Sequence, residues 1–207
     1  MGALLALAYG LRIKKRTKMF KRLKRFFSRF RRTKTRPKPK PQPRLRYALD
    51  SRSRKHINSL DPKVRDVFVS LMQIAKATGK KYGGPKCDIK AISGHRTYEE
   101  QQKIYDQGRT TAGPVVSHAP PGWSFHNFKI SIDLAVFLDG KYMDAVDYKF
   151  VEKLYRAIAN IAEADGLRIE WGGRWLGRSR DICHFQYDTG LSMAEMRRRK
   201  KKGLAIV

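Results

Sequence analysis

Ile130-Ser131-Ile132-Asp133-Leu134-Ala135-Val136-Phe137, with Asp139-Gly140 and Lys141-Tyr142-Met143 behind it, is the stretch on which the fold turns. Its apolar residues recur with period two: Ile130, Ile132, Leu134 and Val136 share one face, while Ser131, Asp133 and Ala135 share the other. Asp139-Gly140 is a two-residue hairpin signal, because both positions tolerate the left-handed backbone such turns require. The stretch is therefore expected to be a strand that returns on itself in an antiparallel sheet. Its apolar face belongs on a core. Asp133 falls among small neighbours, where a cleft can form.

Outward from this strand, helices and short strands interleave. Asp61-Pro62 reads as a helix N-cap with proline at the first helical position, followed by an apolar stripe of Val64, Val67, Phe68, Leu71, Met72 and Ala75 that runs to Gly79. Cys87 to Ile92 alternates loosely, as a strand does. Thr97 to Gln107 has the pattern of a helix stopped by Gly108, and Tyr148 to Ala164 that of a second helix. Leu167 to Trp171 and Ile182 to Tyr187 are expected to be short strands. The order implies an α+β domain with a small, mainly antiparallel sheet flanked by helices. No internal repeat is visible.

The net charge of +28 is concentrated at the ends of the 207-residue chain. Residues 12–46 hold 18 Lys and Arg and no acid, and Arg197–Lys202 adds 6 more, which leaves 22 basic residues against 18 acidic ones in between. Three regions follow: a basic arm over 1–47, a globular domain over 48–196 and a basic tail over 197–207. Within the arm, Met19, Phe20, Leu23, Phe26, Phe27 and Phe30 recur at helical spacing, a pattern that suits an anionic membrane surface or wall polyanion. A disordered arm that binds any polyanion, nucleic acid included, fits the same charges. Arg36 to Pro43 is a Pro-rich extended spacer. Met1 to Leu11 is apolar, but its charge follows the apolar run instead of preceding it, so it does not read as a secretory signal. Cys87 and Cys183 read as two unpaired core thiols; a single bridge would need maturation outside the cytoplasm.

Two segments carry the chemistry. Ser124-Phe125-His126 through Asp133, and Asp181-Ile182-Cys183-His184-Phe185-Gln186, together offer His126, Asp133 and His184 as borderline-hard ligands, with a further carboxylate at Asp181. Three ligands, an open position and a carboxylate that can move a proton make the inventory of a hydrolytic zinc site. Seven residues of continuous strand would separate His126 from Asp133 by roughly 23 Å, so the chain must turn between Asn127 and Lys129. In the second segment strand alternation puts Ile182, His184 and Gln186 on one face and Cys183 and Phe185 on the other, which argues against Cys183 as a ligand. Asp181 could reach past His184 and serve as a proton carrier. His56, His95 and His118 read as structural or solvated, with His118 nearest the site in a Gly/Pro-rich approach.

These residues resemble the zinc peptidases of the D-Ala-D-Ala carboxypeptidase and L-alanyl-D-glutamate endopeptidase group, peptidase family M15, with phage endolysins and wall hydrolases closest in kind. The likeness runs from about Ile92 to Tyr187. It rests on Ser93-Gly94-His95-Arg96-Thr97, Glu100-Gln101, Tyr105 to Thr110, Ser124 to His126, Asp133, Glu170-Trp171-Gly172-Gly173-Arg174-Trp175 and Asp181 to Gln186. It implies a D,D-peptidase or hedgehog-like fold, zinc held by His126, Asp133 and His184, Asp181 as catalytic base, and Arg96 as the cation that steadies the scissile carbonyl and its oxyanion. Trp171 with Gly172-Gly173 reads as cleft wall or as a core Trp beside a tight turn. Two departures stand out: Lys129 where the group usually has Gly, and Ser131 where it usually has Ala. The implied activity is cleavage of the peptidoglycan stem peptide between L-Ala and D-Glu by a monomeric endolysin made in a bacterial host's cytoplasm and acting at the wall. Cleavage at D-Ala-D-Ala is the enzymatic alternative; a polyanion-binding protein with a non-catalytic metal domain is the alternative of another class.

Overall fold

The computed structural model describes residues 46–207. The basic arm, with its amphipathic stretch and Pro-rich spacer, lies outside the described residues apart from its last two. From Arg46 onward the chain is tied down: the Gln73 side-chain oxygen accepts from the amides of Arg46 and Tyr47 at 2.9 and 2.8 Å, and its amide donates to Tyr47 O at 2.9 Å.

Five helices and five strands make up the described residues, in the order α1 (Ser51–Asn58), α2 (Arg65–Gly83), β1 (Cys87–Ser93), α3 (Tyr98–Asp106), β2 (Ser131–Leu138), β3 (Lys141–Tyr142), α4 (Tyr148–Ala164), β4 (Ile169–Trp171), β5 (His184–Tyr187) and α5 (Met193–Lys201). The sheet runs β1-β2-β5-β4, every pairing between these strands is antiparallel, and β3 pairs with the far end of β2. The expected α+β class with a small antiparallel sheet is what forms. At the hairpin, Asp139 and Gly140 both take positive φ, 52° and 78°, as a tight two-residue turn matching the sheet's twist requires.

The period-two pattern of β2 does what it dictates. Ile132, Leu134 and Val136 are fully buried in one apolar cluster with Ile89 and Ala91 of β1, Phe68, Leu71 and Met72 of α2, and Leu154, Tyr155 and Ile158 of α4. Burying side chains of this size stabilises by about 1.5–3 kcal/mol each. Directly paired residues of an antiparallel sheet project to the same side. Ile132 is paired with Phe185, and Phe185 with Trp171, so these three face the core together. By the same register Ser131, Asp133, His184, Gln186 and Glu170 share the opposite face. The register that builds the core thus gathers the polar residues of three strands in one place.

Four local differences from the sequence reading have physical causes. Helix α1 was not anticipated: of its eight residues only Ile57 is a large apolar one, and it is started by Asp50, whose carboxylate accepts from Ser53 N at 2.9 Å. Asp61-Pro62 opens a short 3-10 turn (Pro62–Val64) before α2, and α2 continues past Gly79 to Gly83. Strand β5 starts at His184, leaving Asp181 to Cys183 outside it. Finally, the residues set apart as a tail after 196 carry on from the domain: α5 runs through position 197, Met196 is fully buried with Phe128 and Ile130, and Ile206 and Val207 pack on that cluster. No helix among the described residues is long and apolar enough to cross a membrane. Cys87 and Cys183 are both free thiols.

Candidate metal centre

His126 sits in a single 3-10 turn, Phe125–Phe128, just ahead of β2. Asn127 pins this turn from within the fold. Its side-chain oxygen accepts from Gly122 N at 2.9 Å, and its amide donates to Arg96 O and Thr97 O at 2.9 and 3.2 Å. The reversal demanded between His126 and Asp133 is made at Lys129, whose φ of 60° and ψ of 32° lie in the left-handed region. A side chain there costs about 1 kcal/mol relative to glycine. On the neighbouring strand, the register of β1 slips between Ala91 and Ser93, a bulge that redirects the chain into Gly94, His95 and Arg96. Gly94 has no room for a side chain, since a Cβ would lie 2.6 Å from His56 O.

Three ligand atoms converge. His126 Nε2 lies 3.1 Å from Asp133 Oδ1, His184 Nδ1 lies 3.1 Å from the same oxygen, and the two nitrogens are 3.2 Å apart. In a tetrahedron the ligand–ligand edge is about 1.6 times the metal–ligand bond. Edges of this length therefore correspond to bonds of about 1.9–2.0 Å, close to the zinc–imidazole and zinc–carboxylate values. The outer nitrogen of each ring is spoken for. His126 Nδ1 donates to Gly94 O at 2.6 Å. Gln186 donates its amide to Glu170 Oε2 at 2.8 Å, which turns Gln186 Oε1 toward His184 Nε2 at 3.1 Å. With its outer nitrogen committed as a donor, each ring in its neutral form presents an unprotonated nitrogen inward, as a metal ligand must. Two lone pairs and a carboxylate oxygen packed this closely in a buried place repel one another unless a cation lies among them. The residues fit a metal of zinc's size and preference.

The electrostatics agree. Burial pushes the pKa of His126 down, against the pull of Asp133. Burial acts the same way on His184, but its hydrogen bond to Asp133 and the charges of Asp133 and Asp181 prevail and raise it. Burial alone would lift Asp133, yet the two imidazoles hold its carboxyl well below the usual range.

Arg96 and Asp181 both adjoin the triad. Arg96 Nη2 donates to Asp133 Oδ2 at 3.2 Å and Nη1 to the buried Gln101 at 3.0 Å, so the guanidinium braces the oxygen of Asp133 that the histidines leave free. Asp181 is held by its amide, which donates to Gly172 O at 3.1 Å. This approach needs glycine at 172, where a Cβ would lie 2.6 Å from Asp181 O. The Asp181 carboxylate and the Cys183 thiol each offer an atom within 4.8 Å of Asp133. Cys183 donates to Asp181 Oδ1 from its thiol at 3.0 Å and from its amide at 3.3 Å. Strand alternation had turned Cys183 away from the site; because β5 begins one residue later, that alternation does not reach it. Burial, then Asp133 and Asp181, push the thiol's pKa well up, which keeps it a protonated donor.

Among the described residues His56, His95 and His118 join no group able to hold a metal. Trp171 is a core residue, 1% exposed, stacked on Phe185 and donating to Ile182 O at 2.7 Å. The ring beside the centre is Trp175, whose centroid is 5.1 Å from that of His184 and 5.8 Å from that of Phe125. Its indole donates to Glu170 Oε1 at 2.6 Å. Glu170 therefore ties Trp175 and, through Gln186, His184 to one carboxylate. Sequence reading quoted Glu170 and Gln186 without a role for either; the signal that could have found it is the shared face of β4 and β5.

Comparisons with known proteins find relatives of this chain. The family described as D-alanyl-D-alanine carboxypeptidase matches residues 117–187, which include His126, Asp133, Asp181 and His184. The peptidoglycan L-alanyl-D-glutamate endopeptidase CwlK of Bacillus subtilis (strain 168) is 31% identical over 127 residues, 60% of this chain and 75% of its own length. Among solved structures, the L-Ala D-Glu endopeptidase ChiX of Serratia marcescens is 18% identical with a TM-score of 0.45, covering 66% of this chain and 86% of its own. A zinc-bound vancomycin resistance D,D-pentapeptidase, VanY of the VanB-type cassette, is 17% identical with a TM-score of 0.42, covering 71% and 81%.

Proposed function

This chain belongs to peptidase family M15, and we propose that it is a zinc-dependent peptidoglycan hydrolase of the endolysin kind, cutting the stem peptide between L-Ala and D-Glu. The observation that carries the proposal is the triangle of His126 Nε2, Asp133 Oδ1 and His184 Nδ1, with edges of 3.1–3.2 Å. The choice of bond is supported by the 31% identity to an L-alanyl-D-glutamate endopeptidase.

His126, Asp133 and His184 would hold the zinc. When bound, zinc polarises a carbonyl and lowers the pKa of water. Asp181 supplies the proton traffic: its Oδ1 is occupied by the Cys183 amide and thiol, which leaves Oδ2 to take a proton from the attacking water and return it to the leaving amine. Arg96 holds Asp133 in place and sets a fixed positive charge beside the centre, suited to the oxyanion that develops on the scissile carbonyl. Gln186 and Glu170 fix the ring of His184, and Trp175 lies beside it.

Cleavage of D-Ala-D-Ala is the second reading, supported by the description of the matching family. The test is digestion of purified peptidoglycan with and without a chelator, followed by mass analysis. Chelator-sensitive fragments with a new amino group on D-Glu are the expected result. Released D-Ala would move the assignment to the second reading, and an intact wall would overturn both in favour of a metal domain without catalysis.

A further inference from the structure

On the outer side of the loop that carries His126, cations outnumber the carboxylates that could pair them. Lys200 of α5 reaches under the loop, where its ammonium donates to Asn127 O at 2.6 Å and lies 4.4 Å from the ring centroid of Tyr98 and 5.5 Å from that of Phe128. Burial lowers its pKa and the charge of Lys129 lowers it further, while Glu99, the one acid acting on it, counters least. One turn earlier, Arg197 stands over the exposed Trp123, with its guanidinium carbon 4.1 Å from the ring centroid. Arg197, Arg198, Lys200, Lys201 and Tyr98 line an open pocket of about 500 Å³. Of these cations only Arg198 is ion-paired among the described residues, to Glu195 at 2.7 Å. Lys129 adds its charge from a left-handed backbone position, φ 60°, that glycine would occupy without strain.

Like charges crowd this exposed face of the helix, and Lys129 takes a backbone conformation that disfavours a side chain. A bound anion relieves the first and gives the second a use. Arg197, Lys200 and Lys201 stand at i, i+3 and i+4, on one face of α5, so their donors can converge on the several oxygens of one group. The basic run continues to Lys202, which suits an anion that repeats along a chain.

We propose that this pocket binds the phosphate of a phosphodiester-linked anionic polymer of the cell wall and so docks the domain beside its insoluble substrate. The source of the polymer rests on the wall-hydrolase reading above; the phosphate site itself does not. Lys200 also holds the carbonyl of Asn127, the residue after His126, so the pocket adjoins the loop that carries His126.

The experiment uses the full chain, labelled for amide NMR, titrated at low salt with inorganic phosphate, a glycerol phosphate dimer, a stem-peptide carboxylate and a dinucleotide. The readout is the amides of Asn127, Lys129 and α5, because binding by the basic arm alone would leave them in place. Saturable shifts with phosphate and the glycerol phosphate dimer are expected, weakened about tenfold in Arg197→Gln/Lys201→Gln. That variant should still cleave soluble muropeptides at the wild-type rate but sediment less with insoluble wall. Lys129→Gly should raise the melting temperature by about 2–4 °C while weakening phosphate binding. Four results would overturn the proposal: no local shifts, unchanged shifts in the double variant, a stem-peptide carboxylate that binds as tightly as the phosphodiester, or a dinucleotide that binds more tightly. Loss of muropeptide cleavage by the wild-type chain would strike the hydrolase reading instead and leave phosphate binding standing.

Discussion

His126 and His184 aim a nitrogen at the same point, yet the two regions that hold them are built on opposite principles. The turn at Phe125–Phe128 fixes His126 by backbone: its outer nitrogen donates to the carbonyl of Gly94, and the turn is closed by a left-handed Lys129. Strand β5 fixes His184 by side chains, through Gln186 to Glu170 and on to Trp175. A backbone carbonyl survives any substitution that leaves the chain path intact. A side-chain relay can be cut at each link. The comparison teaches that one ligand is protected by fold and the other by composition, and the two should respond differently to the same kind of damage.

The largest effect should come from the ligands themselves, where the two regions are equals. His126→Ala, Asp133→Ala and His184→Ala should each reduce metal content from about one per chain to background, since two remaining ligands cannot compete with water for zinc. Metal analysis of the purified variants decides it, and full metal in all three would break the assignment. Asp181→Ala should come next. It should keep its metal and lose about 10²–10⁴-fold in turnover, the size of a missing general base. Loss of metal along with activity would make Asp181 part of the holding shell rather than a proton carrier.

The asymmetry itself is tested one step further out. Glu170→Gln and Gln186→Ala should lower metal affinity about 10–100-fold while leaving the fold intact, because they release the outer nitrogen of His184. Among the described residues no equivalent side chain stands behind His126, whose outer nitrogen meets the Gly94 carbonyl. Only a change that moves the backbone can reach it, such as Gly94→Ala, whose Cβ would lie 2.6 Å from His56 O and from Ser59 Oγ. Competition with a chelating dye measures both. Equal and small losses in all three variants would show that ring orientation is set by packing, not by these partners.

What the sequence disclosed follows the same division. Elements whose apolar pattern faces a single core were legible, down to the residue in Tyr148–Ala164 and at the Asp139-Gly140 turn. The convergence of His126, Asp133 and His184 was legible because their residue types and the motifs around them are specific. Helix α1 was not, because a mostly charged helix with one large apolar residue carries no periodic signal; the Asp50 cap before Ser53 was its only mark. The Glu170–Gln186–His184 relay was not, since it depends on which residues of β4 and β5 stand opposite each other, a matter of register. For Cys183 the argument from alternation does not apply, because the strand begins two residues later than expected and leaves that residue outside it.

Acid should separate the two histidines before it unfolds the protein. The pKa of His184 is raised by Asp133. The metal-free domain therefore gains stability from that pair in full below the ordinary histidine value of about 6.5, and loses it as pH rises through the raised one. Asp133, held well below the carboxylate range, contributes above its ordinary value of about 3.9 and ceases to do so as pH falls through its depressed one. Metal binding must displace the proton on His184, so metal affinity should fall as pH drops through the His184 titration, while the lowered pKa values of His126, His56 and His95 oppose what the His184 pair adds to the metal-free domain. Melting curves with and without metal between pH 4 and about 8 should draw together as pH falls, because the stabilisation that metal confers shrinks. Parallel trends would mean that no proton is exchanged for the metal.

The smallest effect lies where β2 leaves the His126 region and meets β5. Ser131 is fully buried, paired in register with Gln186, and its hydroxyl has no hydrogen-bond partner. A buried hydroxyl left unmade costs about 1–3 kcal/mol, and replacing it by a methyl of similar shape removes that cost. Ser131→Ala should therefore raise stability by about 1 kcal/mol, read as a higher denaturant midpoint at unchanged slope. Metal affinity should stay as it was, because the relay through Gln186 uses the amide's two ends on His184 and Glu170 and leaves Ser131 out. If the substitution lowers both stability and metal affinity, the hydroxyl has a working partner in Gln186 or in a bound water. The His184 half would then extend across the strand pair into β2, and the contrast between a backbone-held and a side-chain-held ligand would narrow to the single carbonyl of Gly94.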